Sequence, residues 1–386
     1  MRHTHLDSLR AGLMLLGIVI HAGFVYLSKQ TWLAASSVTS PFFDYLVLVI
    51  HTFRMPAFFL LSGFLFALVL ARTEPTVFFR ARARRVLIPL FTAGLASNAA
   101  QYSAFVLLGS EAGSAQLNVT TCDSLQRIYS GCWTIHLWFL VHLFYYFVLA
   151  MPLVLLLKKL PALTLPSPMS MLWPVTSGVV LLMAQTILSM AYRGTFDLLY
   201  YLPLLNPDGR FVTYMPFFLM GLLLAHCKAS PATWQRLGPI AILLLPISWI
   251  ALLWNFKPDQ HSVTLFLKDG RIQTWLYYAV AFQTTAALIV LASQLPRPTP
   301  QFAAYLADAA LTVYLVHHLI LFLLAVFFVN TGLPLGVQFL FLVTLTAALS
   351  VAFHHYIVVP SAPVRFCFNA RSTPAATASA ASGTGN

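Results

Sequence analysis

The sequence predicts an all-α, polytopic integral membrane protein of about ten transmembrane helices, and three observations predict it. First, 59% of the 386 residues are hydrophobic and 8% are charged, where a soluble domain carries about 25% charged residues. So few charges could not cover that much apolar surface in water. Second, the apolar residues gather into runs approaching the roughly 20 residues that a hydrocarbon core demands of a helix. Third, basic residues concentrate in alternate connections, following the positive-inside tendency. Topology therefore accounts for the net charge of +12, and the expected partner is the lipid bilayer rather than nucleic acid.

The ten runs cover roughly 9–27, 43–70, 86–108, 136–157, 172–190, 212–228, 239–255, 272–293, 309–329 and 334–358. The first has a basic start and an apolar stretch, as a signal peptide does. It contains His21 and lacks a small-x-small cleavage pattern, so it reads as a retained helix. The second is long enough to continue past the bilayer, and the sixth and seventh are short. Proline-rich joints at 160–168 and 295–300 are short connections. Residues 1–365 form the membrane domain, and 366–386, rich in Ala, Ser, Thr and Gly without periodicity, read as a disordered cytoplasmic tail.

With the N-terminus in the cytoplasm, the cytoplasmic segments hold 14 Lys and Arg, the opposite side holds seven, and Arg54 lies within a span. That bias and an even number of spans place both termini in the cytoplasm. Cys122 and Cys132 then fall in an outer loop, where an oxidising compartment permits a disulfide between them. Cys227 and Cys367 fall on the reducing side and are expected to be thiols. No zinc or iron–sulfur spacing is present, and no metal is expected.

Polar residues inside the apolar runs carry the functional information, because an ionisable group in hydrocarbon is costly unless it faces protein or water. His21 is 11 residues beyond Arg10, hence about 16 Å deeper along the first helix. His51 and Arg54, three apart, share a face of the second helix. His317 and His318 lie on the ninth at similar depth, and His136 and His142 mark the fourth. A histidine there can serve as a general base near neutral pH. Arg54 can neutralise a phosphate or carboxylate with a charge that stays positive. The alternative is that these groups only tie helices together by hydrogen bonds.

Asp7 and Arg10, three apart, can pair, cap the first helix or hold a ligand at its cytoplasmic mouth. Arg80, Arg82, Arg84 and Arg85 can anchor a loop to anionic headgroups or attract a polyanionic donor. Trp138, near Trp133, Tyr145 and Tyr146, reads as an aromatic belt or as a surface for stacking on sugars.

The segment His5-Leu6-Asp7-Ser8-Leu9-Arg10-Ala11, followed by Val19-Ile20-His21-Ala22, resembles the first helix of the membrane acyltransferase-3 family. Phe53-Arg54-Met55-Pro56-Ala57-Phe58-Phe59-Leu60-Leu61-Ser62-Gly63-Phe64 is a second match, and Phe79, Arg80 to Arg85 and Ile88-Pro89 are a third. Less firmly, His136-Leu137-Trp138-Phe139-Leu140, Tyr214 to Gly221 and Tyr314-Leu315-Val316-His317-His318 are similar to the branch that succinylates periplasmic glucan.

The resemblance implies a ten-span enzyme of a bacterial inner membrane. It would take an acyl group from cytoplasmic acyl coenzyme A and place it on an extracytoplasmic glycan, with no permanently bound cofactor. It implies His21 and Arg54 as catalytic residues, maps the family's opening Asp and Arg onto Asp7 and Arg10 as substrate-binding residues, and implies succinyl coenzyme A as donor and glucan-synthesis proteins as partners. An O-acetyltransferase using acetyl coenzyme A on another envelope glycan is the near alternative. A transporter with His21, Arg54 and His317 along its route, and a noncatalytic assembly component, are the others.

Overall fold

A computed structural model describes residues 4–29, 32, 34–108, 125–159, 180, 183, 187, 202–204, 210–226, 238–259, 271–296, 299–329 and 331–372. Among these the regular elements are all helical. They are α1 (Thr4–Phe24), α2 (Pro41–Leu70), α3 (Pro75–Pro89), a π-helical turn (Leu90–Gly94), α4 (Leu95–Leu108), α5 (Leu125–Ser130), a 3₁₀ turn (Cys132–Leu137) and α6 (Trp138–Leu157). Then follow α7 (Arg210–His226), α8 (Gly238–Asn255), α9 (Arg271–Gln294), α10 (Pro300–Phe328), α11 (Leu335–Phe353), a second π-helical turn (His354–Val358) and α12 (Ala362–Asn369).

Local chemistry starts several of these helices. Ser40 caps α2 by accepting from the Phe42 amide, Glu74 caps α3 through the amides of Thr76 and Val77, and Thr299 caps α10 through Phe302. Each cap is followed by a proline, whose missing amide costs nothing in a first turn.

Among the described residues, six stretches are long and apolar enough to cross a membrane: 4–24, 41–70, 125–157, 275–294, 301–328 and 335–358. Two shorter apolar helices cover 210–226 and 244–255. The run at 172–190 lies outside the described residues except at 180, 183 and 187. The run at 86–108 is a composite: α3 ends at Pro89 and passes through the π-helical turn into α4, where Asn98 and Gln101 are buried. Leu340, Phe341, Leu345 and Leu349 on α11 are exposed, as befits a face that lipid would cover.

α1 packs against α2, α9, α10 and α11, so a helix rich in small and branched residues lies among four neighbours. α2 packs along α7 so closely that a Cβ at Gly63 would overlap the Phe218 carbonyl, and one at Gly221 the Leu60 carbonyl. Without a hydrophobic drive between helices in lipid, such small residues let backbones meet and gain dispersion contacts.

α12 lies on α3 and α10. Residues 366–369, assigned to the tail by composition, are therefore helical and packed, and Arg371 beyond them reaches Asp308 of α10. Cys132 is disulfide-bonded, and Cys122 lies outside the described residues. Cys367 is a free thiol, while Cys227 also lies outside the described residues.

Candidate functional site

Four histidines from three parts of the chain meet in the interior. The His21 ring, in the last turn of α1, lies 5.4 Å from that of His317 and 4.7 Å from that of His318, both on α10. His136 stacks face to face on His318 at 4.5 Å and stands 5.4 Å from His317. Its approach depends on the 3₁₀ turn, where Ile135 takes a positive φ of 46°. That conformation is costly for a β-branched residue and must be held by its surroundings. Asn98 helps to hold it, donating to the carbonyls of Trp133 and Thr134 at 2.8 and 3.0 Å.

Hydrogen-bond partners fix three of the tautomers. The indole Nε1 of Trp32 can only donate, and it lies 3.2 Å from Nε2 of His318. The ring proton of His318 is therefore on Nδ1, donated to Gln101 Oε1 at 2.9 Å. Both nitrogens of His318 are thus engaged, and it can gain a proton only by losing Trp32. His317 donates from Nδ1 to the carbonyls of Tyr314 and Val313 at 2.8 and 3.2 Å. His136 donates from Nε2 to the same Tyr314 carbonyl at 3.1 Å, and the Tyr314 hydroxyl donates back to the His136 carbonyl. Nδ1 of His21, Nδ1 of His136 and Nε2 of His317 remain buried without a hydrogen-bond partner.

Arg54 completes the cluster. It is 7% exposed, its Nη2 donates to the Met55 sulfur at 3.5 Å, and its Nη1 is unpartnered among the described residues. No carboxylate pairs with it among the described residues. A Cβ at Gly17 of α1 would lie 3.0 Å from Arg54 Nη1 and 3.6 Å from His317 Nε2. The missing side chain of Gly17 therefore leaves the space that an unpaired cation and an unpaired imidazole lone pair share. A buried charge without a counter-ion is expensive, and an incoming anion or polarised carbonyl would relieve that cost. No group of three or more His, Cys, Asp or Glu is arranged to hold a metal among the described residues.

A second polar cluster lies around α3. Asp308 Oδ1 accepts from both Arg85 and Arg371 at 3.3 Å, and Asp7 and Arg10 stand 3.8 Å apart. Burial pushes the Arg85 guanidinium below its usual value, Arg371 and Arg10 add to the effect, and Asp308 opposes it. Arg82 is lowered by burial and by Arg10, with Asp7 opposing, and its guanidinium lies over the Phe78 ring. A guanidinium so perturbed is still cationic at neutral pH. Four arginines thus face two aspartates, an excess of positive charge suited to a polyanion.

The expected residues divide accordingly. His21, Arg54 and His317 come together. Asp7, Arg10, Arg82 and Arg85 form the second cluster. Arg80 and Arg84 point to the other face of α3, exposed in a groove with Thr76 and Ala81. Trp138 belongs to neither: Tyr214 stacks on it at 5.6 Å and the Arg210 guanidinium lies over its ring at 4.7 Å. Sequence reasoning missed Trp32, Gln101 and Arg371. It noted His136 and His318 without giving either a role.

An imidazole cluster beside an unpaired arginine, buried among apolar helices with a basic cluster at α3, belongs to a class that sequence comparison defines. Residues 3–355 match the acyltransferase-3 family, described as an acyltransferase domain, and the chain belongs to this family. Among curated relatives it is similar to the glucans biosynthesis protein C of Salmonella paratyphi B, of Salmonella enteritidis and of Salmonella gallinarum. Each is 26% identical over 327 residues, which is 82% of this chain and 82% of the relative. No solved structure matches the chain.

Proposed function

We propose that the protein transfers an acyl group, succinyl, from cytoplasmic coenzyme A thioester to hydroxyls of periplasmic glucan, as a ten-span protein of the inner membrane with both termini cytoplasmic. The observation that carries this reading is the buried Arg54, whose unpartnered Nη1 shares the space beside Gly17 with the Nε2 lone pair of His317, near His21. Membership of the acyltransferase family and the glucan-synthesis name of the relatives support it.

The phosphates of the donor would lie among Arg10, Arg82, Arg85 and Arg371, and its thioester would extend towards His21. His21 takes the proton of the acceptor hydroxyl as the oxygen attacks the thioester carbonyl. Arg54 offers Nη1 to the developing negative charge or to the carboxylate of the succinyl group. The apolar walls of the bundle restrict water and protect the thioester from hydrolysis.

The test is transfer of label from succinyl coenzyme A to glucan by the purified protein in sealed vesicles, beside a folded His21→Ala variant. Labelled glucan with the wild type and none with the variant is the expected result. No label with either, including with acetyl coenzyme A and added glucan-synthesis proteins, would sink the assignment.

A further inference from the structure

We propose that His317 is a second catalytic residue, which carries the proton from His21 to the leaving sulfur. This rests on the acyl-transfer reading above.

Three facts single out His317 from its neighbours. Its Nδ1–H is held by two main-chain carbonyls, which fixes both tautomer and ring plane and leaves the Nε2 lone pair directed away from them. A proton-transfer histidine needs that arrangement: one nitrogen oriented by an acceptor, the other open to the reacting atoms. That open Nε2 is buried, unpartnered, and faces the space left by Gly17, where the unpaired Nη1 of Arg54 also lies. His318 is excluded because Trp32 and Gln101 occupy both its nitrogens. His136 keeps an open Nδ1, but its ring lies flat on His318, tilted by only 4°.

The topology gives the step a reason. The hydroxyl loses its proton on the acceptor side of the site, and the sulfur needs one on the donor side. In the step, the hydroxyl oxygen forms a bond to the acyl carbon and its proton moves to Nδ1 of His21. The carbon–sulfur bond breaks with its electron pair going to sulfur. His21 passes the proton to Nε2 of His317, whose ring centre lies 5.4 Å from its own, through one water held between the two unpartnered nitrogens, and His317 gives it to the thiolate. The products are the ester and the free thiol, both imidazoles end neutral, and no further reactant is consumed.

The experiment uses the full chain in vesicles and compares His317→Asn with the wild type on two donors. One is the coenzyme A thioester. The other is an aryl thioester of the same acyl group, whose thiolate is stable enough to leave without a proton. Asparagine keeps a donor for the Tyr314 and Val313 carbonyls while removing Nε2. Rates are taken as the ratio of variant to wild type for each donor, so that differences in donor binding cancel.

The expected result is a loss of about 10²- to 10⁴-fold with the coenzyme A thioester, the usual worth of a positioned acid or base, most of which disappears with the aryl thioester. His21→Ala, which removes activation of the hydroxyl, loses activity with both donors. Equal losses of His317→Asn on both donors would mean a structural role and overturn the proposal, as would a wild-type rate on the coenzyme A thioester. If His317→Asn does not yield monodisperse protein, His317→Gln is read by the same ratio. A wild type inactive with both donors would instead remove the acyl-transfer reading itself.

Discussion

Gly17→Ala tests whether the space between Arg54 and His317 is where chemistry occurs, using the smallest possible addition. The new methyl would lie 3.0 Å from Arg54 Nη1, closer than an unstrained contact, and 3.6 Å from His317 Nε2, an ordinary one. The guanidinium, as the end of a flexible side chain, must retreat by a few tenths of an ångström. Alanine is the better helix former by about 1 kcal/mol, so α1 should form as well as before, and that gain offsets much of the local crowding. Catalysis is less forgiving, since a misplacement of about 1 Å can cost 10²-fold. A tenfold or somewhat larger fall in the transfer rate is expected, with the thermal unfolding midpoint in detergent unchanged within a few degrees. The assay pairs label transfer with thermal unfolding of the same preparation. A wild-type rate in a normally folded variant would place the reacting groups elsewhere and refute the reasoning.

Two further perturbations address the groups around this space. Arg371→Gln removes one of the two guanidinium groups on Asp308, and is expected to raise KM for the coenzyme A thioester several-fold with kcat little changed. The effect should be largest at low ionic strength, where screening is weakest, and Arg84→Gln, on the outer face of α3, should leave KM near wild type. Trp32→Phe deletes the donor to His318 Nε2, a hydrogen bond worth about 0.5–1.5 kcal/mol net. The expected outcome is a small fall in unfolding midpoint with a larger fall in transfer rate, measured on one preparation; a rate untouched by the substitution would show that His318 needs no fixed tautomer.

Much of this was legible in the sequence, for reasons that vary by residue. His21, Arg54 and His317 stand out because an ionisable group in an apolar run is conspicuous at once. Helix starts at Pro41, Pro75 and Pro300 are written in the cap residues Ser40, Glu74 and Thr299 ahead of them. The split of the arginine cluster was also available: residues 80 and 84 share one helix face, while 78, 82, 85 and 89 lie on another.

Other parts were not legible. Trp32 lies in a connection between helices and looks like one more aromatic at a membrane boundary. Gln101 is a neutral amide in the polar part of α4, and only its contact with His318 across 217 positions gives it meaning. The path of the chain after α11 hides Arg371, because the local composition there resembles a tail while the residue's role comes from Asp308 on a distant helix. A positive φ at Ile135 carries no signal in a β-branched residue, so the turn that delivers His136 could not be anticipated.

α10 carries both Asp308, which gathers Arg85 and Arg371, and His317. Nine residues of helix separate them, about 14 Å along the axis. That separation would act as a yardstick for any donor held at both ends. A molecule whose phosphates rest on those arginines can present its acyl carbon to His317 only if an arm of comparable length joins phosphate to sulfur. An acyl phosphate, with its carbonyl one bond from the phosphate, could reach one end of the yardstick or the other, never both.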